Sequence, residues 1–210
     1  MKKLALLGAG GHGKVVADLA QLSGWKNIIF FDDSYPERQI NGVWPIQGTA
    51  QDLLHNLDHF DGVLVTIGDC VARLNHHIAL KDAGASLVSI AHPSAVVSGY
   101  AQIGLGCVVM AGSVINFGAK IGDACIVNTG ATVDHDCQLA NAVHICPGVN
   151  LSGEVSVAQA SWVGVGSAIR QGVQIGSHVL IGAGSVVVKD VADNLTVAGN
   201  PAKILMPRNT

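Results

Sequence analysis

The chain has 210 residues, a net charge of −3 and only 13% charged residues. Such a balance excludes the basic face that nucleic-acid binding requires, and the length allows one large or two modest domains. Hydrophobic residues make up 49% of the chain, yet no apolar run is long enough to span a membrane.

The chain opens MKKLALLGAG. Its apolar run is too short for a secretion signal and reads as a first strand, Lys3 to Leu7. Gly8, Gly10 and Gly13 then satisfy GxGxxG, and helical spacing follows through Val15, Val16, Leu19 and Ala20 to a stop at Gly24. A second strand, Asn27 to Phe31, ends at Asp32 and Asp33. Thr49 to Leu57 reads as a Thr-capped helix, and Gly62 to Ile67 as a third strand ending at Gly68 and Asp69. Val71 to Ala83 reads as a helix and Leu87 to Ile90 as a fourth strand. The alternation predicts a small Rossmann-like α/β domain with a parallel sheet over residues 1–91. Glycines before a helix N-terminus suit a diphosphate, and the acidic pair suits a ribose or base. About ninety residues supply only half of a dinucleotide fold, which disfavours NAD.

Beyond residue 91 the pattern changes. Every sixth residue from Val97 to Val187 is Val, Ile or Leu, without a miss. Four positions on, a second register from Ala101 to Val191 holds only Ala, Cys, Ser or Val. A period of six is neither helical nor that of a sheet strand. It predicts a solenoid of stacked triangular coils over residues 92–210, a little over five coils tall, closed by a cap near Pro201. Gly104, Gly122, Gly164, Gly176 and Gly182 follow inward aliphatics and are expected at bends needing positive φ. Five cysteines without a CxxC pair, three of them in the small-residue register, read as core fillers in a reducing cytoplasm. His55, His59, His76, His77 and His178 read as surface residues, and His92 as a hydrogen-bonding residue at the domain junction.

The hexapeptides resemble the left-handed parallel β-helix acyltransferases. The segments GAGGHGKVVAD, FFDD, TIGD, HPSAVVS, NTGATVDHDC and AGNPAKI, taken in order, resemble a narrower group. These are the bacterial nucleotide-amino-sugar N-acetyltransferases of the bacillosamine, viosamine and perosamine type, related to sialic acid O-acetyltransferases. The resemblance implies a homotrimer with acetyl-CoA between neighbouring β-helices and no metal. It implies His135 as general base with Asp136 beside it. It implies acetyl-CoA contacts at His144, Val165 and Ala183, and nucleotide-sugar contacts at Gly10, Gly11, His12, Asp32, Asp33 and Gly68. The implied reaction is direct acetylation of the 4-amino group of a UDP-linked 4-amino-4,6-dideoxy sugar.

Imidazole titrates near neutrality and can accept the amine's proton. A carboxylate would orient it, but successive strand residues point to opposite faces, so two outcomes are open: Asp136 reaches a neighbouring ring instead of His135, or reaches His135 only at a bend. Alternatives remain: O-acetylation of a sugar hydroxyl, a metal-dependent hydratase requiring three convergent histidines, and a nucleotide-sugar-binding protein without activity.

Overall fold

The computed structural model describes residues 2–207. Strands β1 (Lys3–Leu7) and β2 (Asn27–Phe31) flank helix α1 (Gly11–Leu22) in sequence. A short hairpin, β3 (Ile40–Asn41) and β4 (Trp44–Pro45), precedes α2 (Ala50–Leu54), β5 (Gly62–Val65) and α3 (Cys70–Asp82). The parallel sheet has the order β2-β1-β5. The expected fourth strand divides: Leu87 makes one bridge to Val63, and Ile90–Ala91 leaves the sheet to pair with Val108–Val109 of the solenoid. The solenoid thus begins one strand earlier than the sequence reading puts it, with Ile90–Ala91 rather than after residue 91. It is a left-handed parallel β-helix, and residues 208–210 of the second domain lie outside the described residues.

Each coil contributes one two-residue strand to each of three faces. The domain face carries Val108–Val109, Ile126–Val127, His144–Ile145, Trp162–Val163 and Leu180–Ile181. The apolar face follows, with Val114–Ile115, Thr132–Val133, Asn150–Leu151 and Ala168–Ile169. The polar face comes third, with Gln102–Ile103, Lys120–Ile121, Gln138–Leu139, Ser156–Val157 and Gln174–Ile175. Register advances by eighteen residues per coil, as in Thr132 on Asn150. The second residue of each strand points inward, so Val133, Leu139 and Ile145 are buried together. Cys107, Cys125 and Cys137 sit in that core as fillers, each sulfur directed at a carbonyl of the next coil. An antiparallel hairpin, Leu195–Gly199 and Ala202–Pro207, extends the domain face and closes the far end.

The bends differ from the sequence expectation. Every sixth residue from Gly106 to Gly184 has φ between 55° and 73°, and six of these are not glycine, Asp136 among them. Gly104, Gly122 and Gly164 instead lie where the next coil passes. A Cβ at Gly104 would stand 2.7 Å from the Gly122 carbonyl carbon, and one at Gly164 would stand 2.8 Å from the Ala183 nitrogen. Those glycines serve coil stacking rather than positive φ.

The first domain docks on the domain face through α3. Its buried stripe runs Cys70, Arg73, Leu74, His77 and Leu80, a helical spacing. Leu74 packs on Ala124 and Ala142. Arg73 is only 1% exposed. Its guanidinium donates to the carbonyls of Ala124 and Ala142 at 2.8 Å each, and to Ile67 and Gly68 at 2.9 and 2.7 Å. His77 is buried too, correcting its reading as a surface residue: its Nε2 lies 3.5 Å from Asp123. The α3 helix that carries it is pressed against the prism corner, where Lys81 also reaches Asp123 at 2.9 Å.

Replacing Arg73 by Met leaves four carbonyls without a donor, and unfolding free energy should fall by about 3 kcal/mol. Denaturant unfolding checks this, and a loss below about 1 kcal/mol would contradict it.

Candidate functional site

The nucleotide-type loop is built as its glycines require. Gly8 has φ 111°, and a Cβ at Gly13 would meet the Gly8 carbonyl, so both are fixed by backbone geometry. Gly10 caps α1 and Gly11 begins it; a side chain at either would enter open space. The helix N-terminus therefore faces an open surface, favourable to an anion.

Asp32 supports this loop from below. Its Oδ2 accepts from the Ala9 N–H at 2.6 Å, and its Oδ1 accepts from the Ser34 hydroxyl and N–H. Partial burial opposes ionisation, but these bonds together with Arg38 hold the carboxyl below its usual range. Asp33 accepts from the Ala50 N–H at 3.0 Å. The two aspartates line a cavity of about 150 Å³ with Gly8, Ile67 and His76. Arg38 and Asn41, which the sequence reading omitted, brace the loop from outside: Arg38 donates to the Ala9 carbonyl at 2.7 Å and to the Asn41 side chain at 2.5 Å.

Where the loop meets the domain face, two histidines converge. The ring centroids of His12 and His144 are 6.3 Å apart, and His144 lies 4.4 Å from the Trp162 ring. His144 is 5% exposed, and its Nε2 is 3.2 Å from the Asn128 side chain. Burial, then Arg73, lowers His12 to about 4. Burial, then Arg73 and His12, lowers His144 to about 3, against a weak opposing pull from the Gly68 backbone. Both rings are uncharged at neutral pH. Gly68 sits beside them because Arg73 holds its carbonyl.

His135 and Asp136 are elsewhere. They form the corner between the apolar and polar faces, across the prism from the domain face. The structure gathers Gly10, Gly11, His12, Gly68 and His144 on one side of a chain and the acid–base pair on the other. Val165 and Ala183 are exposed and stacked at the corner between the domain and apolar faces, Val165 accepting from the Gly184 N–H at 2.8 Å.

The bend that sequence alternation left open is present. Asp136 has φ 58°, and its Oδ2 is 2.9 Å from His135 Nδ1. Asp134 accepts from the His135 N–H and from Asn116, both at 2.8 Å. Two glycines of adjacent coils make room: a Cβ at Gly118 would strike Asp136, and one at Gly153 would strike His135 Nε2. With Nδ1–H donated to Asp136, Nε2 carries the free lone pair of an exposed base. The hydrogen bond that His135 donates to Asp136 raises the His135 pKa, with the charges of Asp134, Asp136 and Glu154 adding to it. Cys137 and Cys146 are poor nucleophiles, since burial pushes their thiols up to about 11 and about 12. Among the described residues, no cluster of three or more His, Cys, Asp or Glu side chains is positioned to hold a metal ion. No helix of the described residues is long and apolar enough to cross a membrane.

Residues 3–79 match the family model of the PglD N-terminal domain. A UDP-N-acetylbacillosamine N-acetyltransferase of Bacillus subtilis is 36% identical over 115 residues, spanning 53% of this chain and 52% of that protein, about half of each. The acetyltransferase domain of PglB from Neisseria gonorrhoeae, solved with acetyl coenzyme A, is 45% identical with a TM-score of 0.92, covering 97% of this chain and 99% of that one. PerB from Caulobacter crescentus, solved with CoA and GDP-perosamine, is 39% identical with a TM-score of 0.92, covering 98% of each chain.

If His135 is a base held by Asp136, kcat/KM should rise with pH through a value above that of ordinary histidine. Asp136→Asn removes the group that favours the imidazolium, so the acid limb should move to lower pH and the plateau should fall. A pH–rate profile checks this, and an unmoved limb would contradict the pairing.

Proposed function

The chain belongs to the bacterial nucleotide-amino-sugar N-acetyltransferases, and from that premise we propose that it acetylates the 4-amino group of a nucleotide-linked 4-amino-4,6-dideoxy sugar with acetyl-CoA. The observation that carries this reading is the His135–Asp136 pair, 2.9 Å apart and exposed at a prism corner, in a chain whose relatives include enzymes solved with acetyl-CoA or with a sugar nucleotide. We assign UDP as the nucleotide, following the curated relative that acts on a UDP sugar.

The amine must attack as a neutral nucleophile and lose a proton on bond formation. His135 Nε2 accepts that proton, and Asp136 stabilises the imidazolium through Nδ1–H. His144 accepts from the Asn128 side-chain amide at Nε2 and is uncharged, so it brings no competing cation to the acetyl-CoA contact assigned to it. Val165 and Ala183 offer an exposed edge beside it for the coenzyme. The high thiol pKa values of Cys137 and Cys146 favour direct transfer over an acyl-cysteine route.

Since His135 and His144 lie on opposite sides of one prism, the reaction requires at least two copies. The apolar face suits this role. Val96 on it is 63% exposed and Val114, Thr132, Ala168 and Val186 point outward along it, whereas the polar face presents Gln102, Lys120 and Gln138. Packing three apolar faces about an axis brings His135 of one copy to the domain-face edge of the next, so a homotrimer is the assembly proposed. Buried cysteine thiols suit the reducing cytoplasm.

Coenzyme A release against UDP-, dTDP- and GDP-linked 4-amino sugars and their 4-hydroxy counterparts tests the reaction. Turnover with amines only is expected, and His135→Ala should lower kcat by about 10²-fold or more. Preference for hydroxyl acceptors, or near-normal turnover in that variant, would overturn the assignment.

A further inference from the structure

The corner that carries His135 also carries two aromatic rings. Tyr100 is 73% exposed and Phe117 is 59% exposed, and their ring centroids are 4.9 Å apart. Phe117 occupies the corner position of His135 one coil earlier, since the Asp136 N–H donates to the Phe117 carbonyl. On the other side of His135 the equivalent position is Gly153, and the next is Gln171. The aromatic surface thus adjoins the base on one side only. Leaving two large rings in water costs hydrophobic free energy, and neither ring is needed in the prism core.

His135 leans over Gly153, and Asp136 over Gly118 beside Phe117. The Phe117 position is one rung of about 4.8 Å from that of His135 along the corner, so a sugar whose amine meets the base lies within reach of the ring. A 4-amino-4,6-dideoxy sugar has a face of C–H groups and a C6 methyl adjacent to the carbon that bears the amine. Aromatic rings bind such faces through apolar contact.

We infer that Phe117, backed by Tyr100, is the specificity platform that receives the apolar face and C6 methyl of the acceptor sugar while its amine meets His135. This rests on the proposed acetyl transfer for the identity of the sugar. It adds a residue that selects 6-deoxy acceptors over 6-hydroxy ones and sets the sugar's orientation rather than the rate of proton removal.

The test uses the full chain, titrated calorimetrically with UDP- and GDP-linked 4-amino-4,6-dideoxyglucose, with their 6-hydroxy counterparts, and with UDP and GDP alone. The intact protein should bind one 6-deoxy sugar nucleotide more tightly than its 6-hydroxy counterpart and than the bare nucleotide. Phe117→Ala should erase that advantage, about tenfold, with the bare nucleotide, the KM for acetyl-CoA and the molecular mass unchanged; Phe117→Tyr should retain it. Equal weakening of the bare nucleotide would mean a base platform, and a drop in mass would mean a subunit contact. Either result, or no change in sugar binding, overturns the inference. Absence of coenzyme A release by the intact protein would instead count against the reaction, while the binding comparison still reads the platform.

Discussion

One buried guanidinium sets the relation between the two domains. Arg73 has no carboxylate partner among its contacts; it is neutralised by backbone carbonyls, two from successive prism corners and two from the turn after β5. A charge in that position is costly unless every donor is satisfied, so it tolerates little sliding of one domain on the other. The same contacts hold Gly68 beside His144 and bring His12 over the domain face. The positive charge also disfavours protonation of both rings. One residue thereby links domain docking, loop position and the electrostatics of the nucleotide side.

The β-helix contributes a second constraint, its strict register. Because each coil repeats after eighteen residues, a side chain's place within a hexapeptide is decided by its position modulo six, its face by its position modulo eighteen, and its height by the coil. His135 and His144 differ by nine, half a coil: they share a level and oppose each other across it. An uninterrupted prism core lies between them, filled by Val133, Leu139 and Ile145. No rearrangement short of unfolding would bring them together in one chain.

Much of this was legible in the sequence. The aliphatic register from Val97 to Val187 specified the prism, and β1, β2 and α3 lie within a residue of their expected positions, while α1 starts at Gly11, inside the glycine loop. The positive-φ register was also present, because Gly106, Gly112, Gly118, Gly130, Gly148, Gly166, Gly172 and Gly184 occupy it; attention to Gly104 and Gly122 missed it by two residues. That register would have shown Asp136 at a left-handed bend, and hence able to turn back to His135. Arg73 and His77 were harder to read. Their stripe with Cys70, Leu74 and Leu80 has core spacing, but a charge and an imidazole within it look like solvated residues until a partner surface is known. The separation of His135 from His144 follows from the register; the location of the first domain on the face of His144 does not, since it depends on tertiary contacts of α3.

The central claim is that acceptor site and base belong to different copies. Mixing two inactive proteins measures it most directly: His135→Ala, which lacks the base, and Gly11→Trp, which fills the open space over the α1 N-terminus. After co-refolding, the account predicts that acetyl transfer reappears in mixed oligomers, where an intact loop faces an intact His135. Mixed oligomers as inactive as either parent would contradict it.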